Sequence, residues 1–279
     1  MNVTYKELLN AGVHYGHLKR KWNPKMAPYI FMERNGIHVV DLNKTLASLQ
    51  AACDAAQAMT RKGRKIMFVA TKKQAREIAT QEAQRVEMPY VTDRWLGGML
   101  TNFATVRKSL KKMASIEKMM RSESYQNLAK RERLMVSRQK AKMERVLGGI
   151  ADQNRLPAAL FVIDASREHI AVKEARKLNI PVFGLVDTNS DPTMVDYPIP
   201  GNDDAYKSIA LITKAFTDAI EQGLNERKQE REEQKRREEE AKKKAMDEKP
   251  KEAEEAEAIE AKKETEAVAK EEKKDTKNE

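Results

Sequence analysis

Few residues in this chain have the type and spacing to do chemistry. His14 and His17 lie three apart in Val13-His14-Tyr15-Gly16-His17, a spacing that can turn two imidazoles toward one metal. No third ligand is near them in sequence, and hydrogen-bonded or stacking roles are the stronger reading. Asp187, Asp191, Asp203 and Asp204 are oxygen donors that, gathered at one rim with His17, can hold a divalent ion. Asp is also the ordinary residue of turns and caps. That reading is preferred, so no metal ligand is assigned. Asp164-Ala165-Ser166 lacks the glycines of a nucleophile elbow, and no Ser/His/Asp or Cys/His arrangement is legible. No apolar run is followed by the glycine spacing of a P-loop or a dinucleotide fold. Neither a catalytic residue, nor a cofactor, nor a small-molecule substrate is expected.

Cations offer more. The net charge is +10, and between Thr101 and Leu147 there are 13 Lys and Arg against 4 Asp and Glu. Such a one-signed excess repels itself, and a polyanion relieves it; nucleic acid is the first partner to consider. A second basic stretch, Lys19-Arg20-Lys21-Trp22-Asn23-Pro24-Lys25, puts an aromatic among four cations. That combination suits irregular RNA with accessible bases, and core packing of Trp22 is the equal alternative. The candidate RNA contacts are Lys19, Arg20, Lys21, Trp22 and Lys25, then Lys72, Lys73 and Arg94, then Arg107, Lys108, Lys111 and Lys112.

The elements that must position these groups alternate in type. Tyr5 to Ala11 is a short amphipathic opening. Tyr29–Met32 and Ile37–Val40 flank an Asn35-Gly36 turn, a strong signal for an antiparallel pair. Asn43 is expected to cap a helix that Gly63 stops. Continuous apolar runs at Ile66–Ala70, Ala159–Ile163 and Pro181–Val186, with a shorter Pro89–Thr92 and an edge strand at Tyr197-Pro198-Ile199, read as parallel strands covered on both faces. Helices at Gln74–Val86, Glu168–Leu178 and from Asp203 or Asp204 to about Gln222 complete the alternation. Between Gly97-Gly98 and Gly148-Gly149 apolar residues recur three or four apart, which predicts two antiparallel helices of about five or six turns each. Each glycine pair is expected to act as a hinge, with Trp95 buried beside it.

The expected divisions are 1–100 for the first part of an α/β body, 101–150 for an inserted helical hairpin, 151–223 for the rest of the body, and 224–279 for a charged tail. That tail holds 17 basic and 20 acidic residues and almost no large apolar ones, so disorder is expected there. Cys53 is the single cysteine, which excludes an intramolecular disulfide and fits a reducing cytoplasm. No signal peptide or membrane-length apolar run is evident, and a cytoplasmic protein without a membrane partner is expected.

Several blocks also resemble a known family. Gly12-Val13-His14-Tyr15-Gly16-His17, Trp22-Asn23-Pro24-Lys25-Met26, Arg94-Trp95-Leu96-Gly97-Gly98-Met99-Leu100-Thr101-Asn102, Phe161-Val162-Ile163-Asp164, Val186–Pro192 and Ile199–Ala205 are similar to bacterial ribosomal protein S-two, over about Tyr5 to Gly223. The resemblance implies a flavodoxin-like three-layer α/β fold with an inserted antiparallel coiled-coil hairpin. It also implies a structural role in translation on the small ribosomal subunit, with ribosomal RNA, ribosomal protein S-one and other small-subunit proteins as partners, and no catalysis. The tail lies outside it. Two rival readings remain: an enzyme of flavodoxin-like fold with a metal on Asp187 and Asp203, and a hairpin that docks protein rather than RNA.

Overall fold

The computed structural model describes residues 3–237. The chain divides into two units, 1–227 and 228–279. The first opens with α1 (Tyr5–Asn10), held at its start by a capping box between Thr4 and Glu7. A small antiparallel sheet follows, built from β1 (Tyr15–Leu18), β2 (Ile30–Arg34) and β3 (Ile37–Val40) in the order β1-β3-β2. The Asn35-Gly36 turn joins β2 to β3, both residues at positive φ, as expected for that dipeptide. Strand β1 escapes a sequence reading. Its four residues, Tyr-Gly-His-Leu, carry no alternation, and its pairing with β3 shifts register between Tyr15 and Leu18.

Helix α2 (Leu42–Arg61) is capped by Asp41, whose side chain accepts from the Asn43 N–H at 3.0 Å; the cap expected at Asn43 therefore lies two residues earlier. A parallel sheet then forms from β4 (Ile66–Val69), β5 (Tyr90–Val91), β6 (Ala159–Ile163), β7 (Val182–Val186) and β8 (Tyr197–Pro200), in the order β5-β4-β6-β7-β8. Counting only these five strands, the order is 2-1-3-4-5, the flavodoxin-like arrangement. The proline-bearing strand lies at an edge, where a missing N–H costs no ladder bond.

Alternation within the strands builds two cores. Ile66, Phe68, Phe161, Ile163, Phe183 and Leu185 face α2, α3 (Lys73–Arg85) and the last helix, α8, which spans 206–237. Phe161 stacks on Phe216 of α8 with ring centroids 4.3 Å apart. On the opposite face Met67, Val69, Leu160 and Val162 meet α7 (His169–Lys177) and the segment from Trp95 to Leu100. A sheet with helices on both sides is what unbroken apolar strands require.

Helix α8 does not end near Gln222. Gly223 sits against Gln57 and Thr60 of α2, where a larger residue would strike the Gln57 carbonyl, and helical backbone continues to 237. The charged tail is thus helical over its first part; residues 238–279, also expected to be disordered, lie outside the described residues.

Between β5 and β6 run α4 (Phe103–Met120), a short α5 (Glu123–Gln126) and α6 (Lys130–Leu147). Helices α4 and α6 are in contact, and the Lys140 ammonium lies 3.9 Å from the Glu117 carboxylate. The Tyr125 hydroxyl donates to the Arg133 carbonyl at 3.1 Å and ties the connection to α6. Of the four flanking glycines only Gly98 has a positive φ. Gly149 is needed for a different reason: a Cβ there would run into the Tyr90 carbonyl and ring, so the chain can re-enter beside β5 only without one.

Candidate nucleic-acid interface

The candidate cations fall into three groups. Arg107, Lys108, Lys111 and Lys112 are exposed on α4, on the side away from Val106, Leu110 and Met113, which turn toward the core. Among the described residues none of these four has a carboxylate partner. Arg94 is exposed at the start of the loop into α4, and Lys73 at the first turn of α3.

In the N-terminal group Arg20 and Lys21 are exposed on a single 3-10 turn, Lys19–Lys21. Lys19 is paired with Glu33 at 2.7 Å but stays exposed. Lys25 donates to Asp191 at 2.7 Å and to Thr193 at 3.2 Å. Trp22 is half-buried, its ring centroid 5.0 Å from that of His38, so it packs on the small sheet.

Lys72 must be removed from this set. Only 8% exposed, its ammonium lies 2.7 Å from Asp203, 2.6 Å from Asp204 and 3.5 Å from Asp164. An ammonium so engaged by carboxylates is not offered to a phosphate. Sequence spacing hides this because the partners come from loops after β6 and β8, far along the chain.

Those loops form an acidic rim beyond the carboxyl ends of the parallel strands, where open α/β sheets tend to bind ligands. Asp164 follows β6, Asp187 follows β7, and Asp203 and Asp204 follow β8. His17 reaches in from β1, with Nδ1 3.0 Å from Asp187 and Nε2 3.3 Å from Asp204. The hydrogen bond to Asp187 holds the imidazole above its ordinary pKa despite burial. Asp203 is fully buried, and burial together with Asp187 and Asp164 pushes its carboxyl up to about 7. Burial opposes charge on Lys72, but Asp203 and Asp204 outweigh it and hold the ammonium above its usual range. Neither Asp203 nor Asp204 caps α8. The Asn202 side chain accepts from the Asp204 and Ala205 N–H groups at 2.8 and 3.1 Å and sets the turn into that helix. Asp191 stays apart, occupied by Lys25 and Thr193.

A second carboxylate organises the route to α4. Glu174 of α7, 9% exposed, accepts from the backbone N–H groups of Gly98, Leu100 and Thr101, from the Thr101 hydroxyl and from the Trp95 indole, at 2.7 to 3.2 Å. Burial would raise its pKa; the donors outweigh burial and hold it below the ordinary carboxylate value. Trp95 is buried as expected, 7% exposed. The role of Glu174 has no local signature, since its partners lie more than seventy residues earlier.

Among the described residues no helix is long and apolar enough to cross a membrane. A family model described as ribosomal protein S2 matches residues 8–223. The small ribosomal subunit protein uS2 of Cytophaga hutchinsonii is 65% identical over 231 residues, which cover 83% of this chain and 91% of that relative. The protein of the same description from Christiangramia forsetii is 60% identical over 228 residues, covering 82% and 76%. That of Parabacteroides distasonis is 57% identical over 229 residues, covering 82% of each. A match of this extent and identity is decisive, and the chain belongs to the ribosomal protein S2 family, whose members are structural proteins of the ribosome rather than enzymes.

Proposed function

We propose that this chain holds its place in the cytoplasmic small ribosomal subunit by binding ribosomal RNA through α4, α6 and the Lys19–Lys25 segment, with neighbouring small-subunit proteins, ribosomal protein S-one among them, docking on the same body. In this reading α4 and α6 form a projecting coiled-coil hairpin. The carrying observation is the one-signed charge of that insertion, 13 basic against 4 acidic residues, with Arg107, Lys108, Lys111 and Lys112 exposed together. Phosphate contacts of this kind position a protein on RNA with little base preference. Arg20, Lys21, Lys73 and Arg94 extend the contact, Lys19 and Lys25 join it where phosphate competes with Glu33 and Asp191, and Trp22 supplies an apolar face.

Replacing Arg107, Lys108, Lys111 and Lys112 by Ala tests it. The slope of log affinity for small-subunit RNA against log salt is expected to fall by about one unit per lost contact, up to about four. An unchanged affinity and slope would overturn the role of the insertion.

One observation favours a second reading for the distal part of α6. Leu134 and Met135 are 50% and 63% exposed among the cations, a surface more suited to protein than to phosphate. Ribonuclease treatment separates the two: associations that survive digestion are held by protein, those that are lost by RNA.

A further inference from the structure

We propose that a cleft at the amino ends of β4 and β6, at the other end of the sheet from the acidic rim, receives one unstacked adenosine nucleotide of RNA. The Gln153 amide reads its base, and Arg64, Lys65 and Arg155 hold its phosphate. This contact rests on the RNA-binding reading above and adds base selectivity to it. Lys65 and Ala158, the residues before β4 and β6, are joined by a hydrogen bond from the Ala158 N–H to the Lys65 carbonyl at 2.9 Å. Both line a cavity of about 530 Å³. Pockets for small guests run from about 300 to 1,000 Å³, so a base and its sugar are within its capacity.

Gln153 points to a guest. It is 7% exposed, and its amide oxygen and nitrogen both lack a hydrogen-bond partner. Buried amides are ordinarily satisfied, because an unpaired donor or acceptor carries its full desolvation cost. Gln153 lines this cavity and also a second one of about 390 Å³, whose wall includes Tyr90 and Gly149. Its own N–H donates to the Ile150 carbonyl at 3.0 Å, which fixes the backbone in the turn after α6. An unpaired donor and acceptor therefore stand side by side between two spaces. Adenine offers the matching pair: its N6 amino group donates to Oε1 while N7 accepts from Nε2, the bidentate pairing by which Gln selects that base. Because both amide atoms are buried in the free protein, the base enters with a rotation of the Gln153 side chain toward the cavity.

Charge and shape complete the match. Arg64, Lys65 and Arg155 are exposed in the same wall, and among the described residues none of them has a carboxylate partner. Lys72, at the opposite end of β4, is by contrast closed in by three carboxylates. Asp152 is the single acid in the wall, so three cations face one carboxylate and the cavity keeps a positive excess. Asp152 is also placed to accept from a ribose 2′-hydroxyl, a group that DNA lacks. Leu156, 43% exposed, gives the base an apolar surface to lie on. Inorganic phosphate would satisfy the cations and leave the amide unpaired. Cations for the phosphate, an apolar surface for the ring and an amide for the base edge together suit a nucleotide splayed out of a single strand.

The experiment titrates fluorescently labelled tetra-adenylate, tetra-uridylate and tetra-deoxyadenylate with the full-length protein, read by anisotropy. Tetra-adenylate is expected to bind at least about tenfold more tightly than tetra-uridylate, and more tightly than its deoxy counterpart. The preference should persist in the chain with Arg107, Lys108, Lys111 and Lys112 replaced by Ala, which separates this contact from that of the insertion whatever those four residues do. Gln153→Leu should abolish the preference while melting no lower than the parent, since it removes two unpaired buried atoms. Arg64→Ala with Arg155→Ala should weaken tetra-adenylate binding and lower its salt slope by about 0.7 for each lost contact. Equal binding of the adenine and uracil strands by the parent, or a preference unaltered in folded Gln153→Leu, overturns the site. If Gln153→Leu does not fold, the double arginine variant decides, and an unchanged affinity for tetra-adenylate overturns it. Free AMP binding as tightly as tetra-adenylate would overturn RNA as the source of the nucleotide.

Discussion

At the scale of single residues, Glu174 shows how one side chain can organise a loop. Five donors from the Trp95–Thr101 segment converge on its two oxygens, so the loop's turn is imposed by an acceptor on α7 rather than by its own glycines. Glu174→Gln keeps the shape but turns an amide NH2 toward N–H groups. With at least one buried donor left unpaired, a loss of about 2–3 kcal/mol is expected, read by urea unfolding. Its pH dependence has a definite sign. The folded state holds the carboxyl below its ordinary value, so between pH 5 and the folded pKa the unfolded chain binds more protons and stability rises with pH. The contribution is fully present once pH is clearly above the unfolded value and is lost as pH falls through the folded one. In Glu174→Gln the acid limb of the stability curve should flatten; an acid limb identical to the wild type would mean the carboxylate is not what the donors hold. None of this was readable from the local sequence, where Glu174 is an ordinary helix residue. The same blindness covers Lys72: its position before a helix suggested phosphate, and only the fold brings Asp164, Asp203 and Asp204 to it.

At the scale of elements, legibility follows the strength of the local pattern. Ile66–Val69, Ala159–Ile163 and Val182–Val186 are short apolar runs between breakers, and Asn35-Gly36 demands positive φ, so these appeared where expected. Strand β1 has no such pattern and exists because β3 pairs with it. The cap of α2 lies two residues early because Asp41, itself a favoured capping residue, takes the Asn43 N–H, whereas the end of α8 is displaced because Gly223 packs against α2. The glycines around the insertion illustrate the difference and are testable. Gly149 borders the Tyr90 backbone, and Gly149→Ala should destabilise the protein by about 1–3 kcal/mol through overpacking that a carbonyl cannot relieve. Gly97 has open space around the position of a Cβ and no positive φ. Gly97→Ala should be within about 0.5 kcal/mol of the parent. Thermal melts of the two variants check the contrast, and equal effects would refute it.

At the scale of the whole molecule, both hydrophobic clusters lie within the unit that ends at Arg227. Their closing contacts are made after the point where the family match stops at residue 223. Leu224 packs against the larger cluster, and Glu226 accepts from the Gln57 amide of α2 at 2.6 Å. The last turn of folded core is therefore supplied by the beginning of what composition marks as tail. A chain ending at Arg227 is expected to melt within about 2 °C of the full chain. Ending at Gln222 removes Gly223, Leu224 and Glu226 from α2, which should cost about 1–2 kcal/mol, or roughly 2–4 °C for each kcal/mol in a protein of this size. Calorimetric melts of the two truncations decide it. Equal melting temperatures would place the folded boundary at residue 222, and a large loss on ending at Arg227 would mean that the unit needs residues beyond it. Since the removed segment is nearly balanced in charge, with 17 basic and 20 acidic residues from Leu224 on, neither truncation should shift the salt dependence of RNA binding by as much as the four substitutions on α4.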